Sequence, residues 1–224
     1  DNLTLTSTTP PDTSNTTNFM WFYEGCGSIT QLPLMDTSNG TNFFGTFMKC
    51  GAITSIPNYD FSSIDNCRVM FRECPLLLEV PFFDSSNCTE FNGTFMFCSS
   101  LTNIPNYDMS SCNTLKDAFR ACISVTSLPE FNTNNVTVFQ GAFRSMSNLS
   151  SMPLIDTSNG TDLSSAWNAC GSLTAMPAIN TSSAINLDYC WISCNSLVDF
   201  PALDLSSGTS FINTWKSCAL NSNS

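Results

Sequence analysis

The sequence predicts an α/β solenoid, in which every repeat contributes one short parallel strand and one short helix. Prolines recur every 24 residues without insertion or deletion, at Pro33, Pro57, Pro81, Pro105, Pro129, Pro153, Pro177 and Pro201. Apolar residues recur with the same period at fixed distances from each proline. A fixed period of about 20 to 50 residues is typical of solenoids, because each repeat buries its apolar face only against its neighbours.

The residues around each proline predict the strand. With the proline as position 0, position −4 is aliphatic in all of these repeats, as in Ile29 and Leu197, and positions −1 and +2 are apolar. Proline has no N–H for a sheet, so it belongs at the end of the strand or at a bulge. Stacked repeats would place these strands about 4.8 Å apart in a parallel sheet.

Positions +10, +13, +14 and +17 predict the helix. One repeat has Phe139, Ala142 and Phe143 at the first three of them. The spacing 0, 3, 4, 7 matches one face of an α-helix. Position +8 is Thr, Asp or Asn in every repeat but the one with Ile185, and these residues cap helix N-termini. We therefore expect about two helical turns after a polar loop.

The period also predicts the domain organisation. A degraded first repeat aligns from Leu5 onward, and the last full repeat closes at residue 220. Residues 5–220 are therefore expected to form one solenoid domain of nine 24-residue repeats, between an N-terminal extension, 1–4, and a C-terminal tail, 221–224. Because this is a whole number of repeats, a second copy could stand where a tenth repeat belongs.

Composition excludes several functions. The 224 residues carry a net charge of −11 with only seven Lys and Arg, too few to neutralise a nucleic-acid backbone. No run of about 18 apolar residues predicts a membrane span. The chain has no His, so a Ser or Cys nucleophile would lack its usual base. We expect no enzymatic activity, no cofactor and no metal site.

Most cysteines form a column at position +17, where one repeat has Met146 instead. That substitution indicates a buried column of thiols that pack as small apolar groups. Cysteines outside the column are better disulfide candidates. Cys88 and Cys112 share position +7 in neighbouring repeats, which places their Cα atoms about 5 Å apart. Cys190 could pair with Cys194 or with Cys170.

Nine Asn-x-Ser/Thr motifs predict N-glycosylation in polar loops. Their asparagines are Asn2, Asn15, Asn39, Asn87, Asn92, Asn135, Asn148, Asn159 and Asn180. Five of the nine share position +6, so sugars would line one edge of the solenoid. The Thr at position +8 is also explained by capping without any glycan.

Position +3 forms an acidic column, in which Asn replaces Asp in two repeats. Its members are Asp12, Asp36, Asp60, Asp84, Asp108, Asn132, Asp156, Asn180 and Asp204. We interpret these side chains as structural acceptors for backbone N–H groups, a role that Asn fulfils as well as Asp. A row of Ca²⁺ sites is the functional alternative, although one carboxylate per repeat is few.

Several lines of the sequence resemble a known family. CSSLTNIPNYDMSSCNTLKDAFRAC and CGSLTAMPAINTSSAINLDYCWISC are similar to the BspA-like leucine-rich repeats of bacterial and protist surface proteins. FNTNNVTVFQGAFRSM is similar to the related repeats of surface lipoproteins. The resemblance implies a right-handed leucine-rich-repeat solenoid that is secreted or at the cell surface. It implies roles in adhesion, host interaction or structure.

The first functional hypothesis is a non-enzymatic, glycosylated structural protein that stacks end to end into an extracellular fibre or surface appendage. Its partner would be a further copy of itself. An open repeat end with apolar surface favours pairing, and the segment LTLTSTT could add to a neighbour's edge as a strand. The predicted assembly ends are Leu3 and Leu5 at one end and Phe200, Leu203, Phe211 and Trp215 at the other.

The alternative is an adhesin or viral-fibre module that binds a glycan or a host surface protein through its sheet face. Tyr59 and Tyr107, each in an IPNYD line, would be the aromatic anchors. The same residues could instead belong to the core, because position +2 alternates with outward positions.

Overall fold

The structure is a computed structural model that describes residues 11–220. The predicted extension and tail, together with the candidates Asn2, Leu3 and Leu5, lie outside the described residues. The count of nine repeats over 5–220 stays a prediction for the same reason.

The chain winds into a solenoid whose repeats are joined by parallel backbone pairing at intervals of 24 residues. Position +9 forms most of the isolated bridges: Asn18–Asn42, Asn42–Asn66, Glu90–Thr114, Thr114–Val138, Val138–Asp162, Asp162–Asn186 and Asn186–Ser210. One further bridge joins Ala175 to Asp199. Within residues 11–220 there is no α-helix and no strand longer than such a bridge.

A ladder of backbone hydrogen bonds follows each bridge. The N–H groups at positions +10, +12, +14 and +16 donate to carbonyls 23 residues ahead, in the next repeat, except that Cys67 N–H at position +10 lacks this bond. In one repeat the donors are Phe43, Gly45, Phe47 and Lys49, with N···O distances of 2.8–3.0 Å. Every second N–H in this segment therefore points along the solenoid axis toward the following repeat.

The predicted helix is wrong, because consecutive β-turns occupy that segment. Thr46 N–H donates to Phe43 O at 3.2 Å, and Cys50 N–H donates to Phe47 O at 3.1 Å, so the chain closes over three residues rather than four. Positions +12 and +16 have positive φ in every repeat from Trp21 to Ser217. A right-handed helix cannot include such residues. The four-residue step between the β-turns places positions +10 and +14 on the same side, which imitates a helical face.

The threonine at position +8 caps no helix either. Thr41 N–H donates to Thr17 O at 2.9 Å, and most later repeats have the equivalent hydrogen bond from position +8 to position +8 of the preceding repeat. The residue therefore joins neighbouring repeats, beside the bridge at position +9.

The predicted strand near the proline is present among the described residues only as one isolated parallel bridge, between Ala175 and Asp199, two residues before Pro177 and Pro201. Hydrogen bonds between repeats are sparse there, and typical ones join Leu78 N–H to Thr54 O at 3.0 Å and Val198 N–H to Thr174 O at 3.1 Å. Since proline removes one donor from each repeat, a continuous ladder cannot form along this side. The regular pairing lies at positions +9 to +16 instead.

An aromatic column at position +14 forms the centre of the core. Each repeat contributes one ring, and consecutive rings stack with centroids 5.5–5.9 Å apart: Tyr23, Phe47, Phe71, Phe95, Phe119, Phe143, Trp167, Trp191 and Trp215. Position −4 and the cysteines at position +17 pack beside this column. The core is thus continuous along the solenoid axis.

Candidate functional site

The C-terminal end of the described solenoid exposes groups that the interior repeats bury. Phe211 is 37% exposed, whereas Leu187 at the same position of the preceding repeat is fully buried. Trp215 is half-buried, whereas Trp191 before it is fully buried. Ile212 at position +11 is 52% exposed. We name this surface the C-terminal face.

The same face carries unpaired backbone donors. In every preceding repeat the N–H groups at positions +12, +14 and +16 donate to the following repeat. The corresponding N–H groups of Asn213, Trp215 and Ser217, together with that of Phe211 at position +10, have no backbone acceptor among residues 11–220. These four donors are spaced two residues apart, as they are in the interior ladder.

The N-terminal end carries the matching acceptors. In later repeats the carbonyls at positions +9, +11, +13 and +15 accept the bonds of the ladder, with the exception of Glu90 O. At the first described repeat these are the carbonyls of Asn18, Met20, Phe22 and Glu24, for which the described part of the chain supplies no donor. The side chains of Met20 and Phe22 are 43% and 39% exposed. We name this surface the N-terminal face.

Phe22 partly covers the N-terminal face. Its ring lies edge-on to Phe19, with centroids 5.8 Å apart, and to Tyr23, with centroids 4.9 Å apart. Position +13 otherwise has Thr, Met, Ala or Cys, and Thr46 there donates to Phe19 O of the preceding repeat at 2.9 Å. Sequence reasoning missed Phe22, although its size departs from every other residue at this position.

The predicted C-terminal assembly residues all lie at or beside the C-terminal face. Phe200 packs edge-on against Trp191 at 4.7 Å and against Trp215 at 6.3 Å. Leu203 is half-buried and packs against the core. The end of the column is therefore aromatic and only partly covered.

The acidic column at position +3 has a structural role. Asp36 Oδ1 accepts hydrogen bonds from the Ser38 N–H at 3.0 Å and from the Ser38 hydroxyl at 2.7 Å. These hydrogen bonds lower the pKa of Asp36, since they stabilise its charged form. Asn180 makes the same contact to the Ser182 N–H at 2.9 Å. Among the described residues no three His, Cys, Asp or Glu side chains are arranged to hold a metal ion.

Most of the described glycosylation candidates are exposed, and Asn92 is half-buried. Three at position +6 also bond to the preceding repeat through their amide nitrogen. Asn39 donates to Ser14 O at 2.8 Å, and Asn135 donates to Ser110 O at 2.6 Å. Asn159 makes the equivalent bond at 2.7 Å. The asparagines thus join repeats, and glycosylation at these sites stays a prediction.

The interior cysteines of the position +17 column, Cys50, Cys74, Cys98, Cys122, Cys170 and Cys194, are buried hydrogen-bond donors. Cys50 Sγ donates to Tyr23 O at 3.1 Å, and Cys98 Sγ donates to Phe71 O at 3.0 Å, each in the preceding repeat. Burial raises the pKa of Cys50 to about 12. A group that is protonated at neutral pH and bonded to the backbone is chemically inert.

The disulfide candidates are free thiols in this structure. Cys112 Sγ donates to Cys88 O at 2.8 Å, and Cys194 Sγ donates to Trp167 O at 3.1 Å. Cys190 is fully buried. The predicted pairings of Cys88 with Cys112 and of Cys190 with Cys194 or Cys170 stay predictions.

Tyr59 and Tyr107 are core residues and cannot anchor a ligand. They are 5% and 1% exposed. Their hydroxyls donate to Pro33 O at 2.6 Å and to Pro81 O at 2.8 Å. The hypothesis of a ligand-binding sheet face therefore loses its proposed anchors.

Comparison with known proteins shows the family. A family described as "Mycoplasma protein of unknown function, DUF285" matches residues 3–95 and again residues 76–178. A leucine-rich repeat protein of known structure from Bacteroides ovatus ATCC 8483 has 15% sequence identity and a TM-score of 0.33, over 89% of this chain and 73% of its own. No curated protein matches the chain. Residues 11–220 contain no helix that could cross a bilayer.

The two family matches overlap and together extend over most of the sequence. They agree with the resemblance to BspA-like repeat proteins that the repeated lines indicate. The chain therefore belongs to the DUF285 family.

Proposed function

We propose that this protein is a non-enzymatic structural subunit that stacks head to tail into an extracellular fibre or surface appendage. The similarity of its repeated lines to the BspA-like repeats of surface proteins supports the extracellular setting. We further propose that the solenoid is a right-handed coil of nine repeats and that glycans line its edge at position +6. The occupant of each end face is a second copy of the chain.

The observation that carries the proposal is the complementarity of the two faces. The C-terminal face has four N–H donors, and the N-terminal face has four carbonyl acceptors with the same two-residue spacing. If Asn18 of one copy takes the place of position +9 in the next repeat, Phe211 N–H meets its carbonyl. The other three donors then meet Met20, Phe22 and Glu24 in the register of the interior ladder.

Each bond of this kind contributes about 0.5–1.5 kcal/mol net. The larger contribution comes from apolar burial, at about 25 cal/mol per Å². Ile212 and Met20 both occupy position +11, so they become neighbours across the junction, as do Trp215 and Tyr23 at position +14. Because no ion pair is needed, we expect the association to persist at high salt.

The same complementarity disfavours the two symmetric end-to-end contacts. Two C-terminal faces in contact would oppose donors to donors, and two N-terminal faces would oppose acceptors to acceptors. Only the head-to-tail contact pairs both rows. Such a heterologous contact does not close on itself unless the copies rotate into a ring, so its product is a filament.

Charge variants at the two faces test the proposal. Met20 and Ile212 are exposed in the single chain, so charged residues there leave the fold of one subunit intact. The like-charged variant M20E/I212E places two carboxylates together at each junction. The matched variant M20E/I212K places opposite charges there and carries the same number of substitutions. L154E, on the exposed side of the solenoid, is the control.

Light scattering against concentration, together with electron microscopy, measures the result. We expect filaments from the wild type, L154E and M20E/I212K, and monomers from M20E/I212E. A wild-type chain that stays monomeric at high concentration, or a like-charged variant that assembles as well as the opposite-charged one, would overturn the proposal.

A further inference from the structure

One interior repeat carries apolar side chains that face solvent beside its proline. Leu76, Leu78 and Phe82 are 49%, 52% and 68% exposed. At the same positions the two neighbouring repeats have small or polar residues, which are Ala52, Thr54 and Asn58 on one side and Ser100, Thr102 and Asn106 on the other. We name Leu76, Leu78 and Phe82 the apolar island. An exposed apolar patch with a polar rim is typical of a site that binds another protein.

The hydrophobic core does not account for the apolar island. In this segment every third residue is buried, namely Leu77, Val80 and Phe83. The island residues lie between them in the sequence and are exposed. The neighbouring repeats keep the buried positions apolar and have small or polar residues at the exposed ones. The fold therefore needs only the buried set, and the exposed set requires another explanation.

Two hollows lie at the apolar island. The first has a volume of about 560 Å³ and is lined by Leu78. The second has a volume of about 390 Å³ and lies at Phe82, between Asp60 and Asp84. The Phe82 ring is held parallel to the ring of Tyr107, with centroids 6.2 Å apart and 4° between the planes. Because an extended chain covers about 3.3–3.6 Å per residue, the Cα atoms of Leu78 and Phe82 are at most about 14 Å apart, and a short extended peptide can reach both hollows.

The charge around the apolar island is negative. Glu79 lines the first hollow, and Asp60 and Asp84 line the second. Hydrogen bonds from Ser62 and Ser86 lower the pKa of these two aspartates, so both are ionised at neutral pH. All seven Lys and Arg of the chain lie at positions +11 to +16, so none belongs to positions −5 to +3, which form the island and its rim. The surface is therefore complementary to a positively charged ligand.

A second copy of this chain fits the apolar island poorly. Its own island has the same carboxylates around it, so contact between two islands would bring like charges together. Its basic residues lie on the side of the β-turns, where Arg68, Arg72 and Arg120 are already paired with acidic side chains at 3.0–3.5 Å. A different protein with a basic segment is therefore favoured.

We propose that the apolar island binds a short extended segment of another protein, in which apolar side chains alternate with Arg or Lys. The apolar side chains of the segment pack on Leu78 and Phe82, and its cations lie near Glu79, Asp60 and Asp84. Apolar burial supplies most of the affinity, and the charges supply specificity and a faster association. This function goes beyond head-to-tail stacking, because the island belongs to an interior repeat and to neither end face.

Fluorescence anisotropy of a labelled peptide, titrated with the intact chain, tests the proposal. The probe is a short synthetic peptide of alternating Arg and Leu. Two matched peptides have Glu in place of every Arg, or Ser in place of every Leu. We expect the chain to bind the Arg–Leu peptide more tightly than either matched peptide. Added salt should weaken the binding, because it screens exposed charges.

Variants of the chain locate the binding surface. L78T/F82N gives this repeat the residues of its neighbours, so it should fold as the wild type does and bind the Arg–Leu peptide about tenfold more weakly, or weaker still. E79K should weaken binding of the Arg–Leu peptide and strengthen binding of the Glu–Leu peptide, a reversal that a loss of structure cannot produce. L154N removes an exposed leucine from another repeat, and it should bind as the wild type does.

Three results would rule out the proposed ligand. They are no binding of the Arg–Leu peptide by the wild type, equal binding by L78T/F82N, and equal binding of all three peptides. A side-by-side association of chains that L78T/F82N abolishes would also rule it out, and would assign the island to a second copy. The outcome is independent of fibre assembly, because M20E/I212E keeps the same island and should bind the peptide with the affinity of the wild type.

Discussion

The indole rings of Trp167 and Trp191 stack face to face, with 5.5 Å between their centroids and 2° between their planes. Neither indole N–H has a hydrogen-bond partner within the described part of the chain. Both rings are fully buried. The stack therefore gains dispersion and apolar burial from each ring, and it loses free energy at each unpaired donor.

Substitution of Trp191 separates these two effects. W191A should reduce the free energy of unfolding by about 3–5 kcal/mol, because it leaves a large cavity in the column. W191F should reduce the free energy of unfolding by less than about 1.5 kcal/mol, since Phe fills the same position in other repeats and has no unpaired donor. Urea denaturation followed by circular dichroism measures both. Equal costs for the two variants would contradict this account of the column.

The aromatic column at position +14 could be predicted from the sequence, but the backbone conformation around it could not. Periodicity reports which side chains face the core, and it identified position +14 from residues such as Phe143. The same spacing arises from a helix or from two successive β-turns. Glycine was the overlooked signal, because Gly45, Gly93 and Gly141 recur at position +12, where an α-helix would disfavour them.

The positive φ angles give a second prediction. Ala121 has φ of 60°, a conformation that costs an alanine about 1–2 kcal/mol and a glycine almost nothing. A121G should therefore increase the free energy of unfolding by about 0.5–1 kcal/mol, after the greater flexibility of glycine in the unfolded chain is subtracted.

The matched control is Ala178, an exposed alanine that is not among the residues with positive φ. A178G should decrease the free energy of unfolding by about 0.5–1 kcal/mol. In thermal melts, A121G should therefore unfold at a higher temperature than the wild type, and A178G at a lower one. If both glycine variants are destabilised equally, the turn geometry at position +16 is not as described.

The acidic column gives a prediction on pH. Hydrogen bonds from Ser38 lower the pKa of Asp36 below its ordinary value of 3.8. The unfolded chain then binds a proton at a higher pH than the native chain, so the stabilisation is complete above 3.8 and is lost as pH falls through the native pKa. The stability of the wild type should decrease over this acid range.

Variants at position +3 isolate that contribution. D36N keeps the acceptor and has no carboxyl to protonate, so its stability should fall less steeply between pH 4 and about 2. N180D adds a carboxylate at the same position of another repeat, so its stability should fall more steeply with decreasing pH than that of the wild type. Denaturation at a series of pH values measures the slopes. If the stability of all three proteins falls equally with decreasing pH, these hydrogen bonds do not favour the charged carboxylate over the protonated carboxyl.

The candidate site was only partly predictable as well. The period placed Phe211 and Trp215 at an end of the solenoid, and the structure finds them there, more exposed than the residues of interior repeats. The direction of the unpaired groups could not be predicted, because it depends on the alternation of N–H and carbonyl along the β-turns. A helix end or a strand edge at the same place would present its N–H and carbonyl groups in another arrangement, so either structure would predict a different contact between subunits.

Phe22 gives the last prediction, which rests on the proposed head-to-tail assembly. Its ring covers Phe19 and Tyr23 at the N-terminal face, where an incoming Trp215 would stack on Tyr23. At the same position of other repeats, Thr94 and Thr214 donate to carbonyls of the preceding repeat at 3.1 and 2.9 Å. F22T should therefore clear the face and supply one more hydrogen bond to the neighbouring copy.

A hydrogen bond of about 1 kcal/mol lowers the concentration at which filaments form by about fivefold. Sedimentation of F22T and wild type across a dilution series measures this concentration, and F22L, which keeps an apolar side chain without a hydroxyl, is the matched control. Filaments at equal concentrations for F22T and wild type would mean that Phe22 does not limit the junction. The absence of filaments from both would count instead against head-to-tail stacking itself, because the complementary rows of N–H and carbonyl groups are unchanged in F22T.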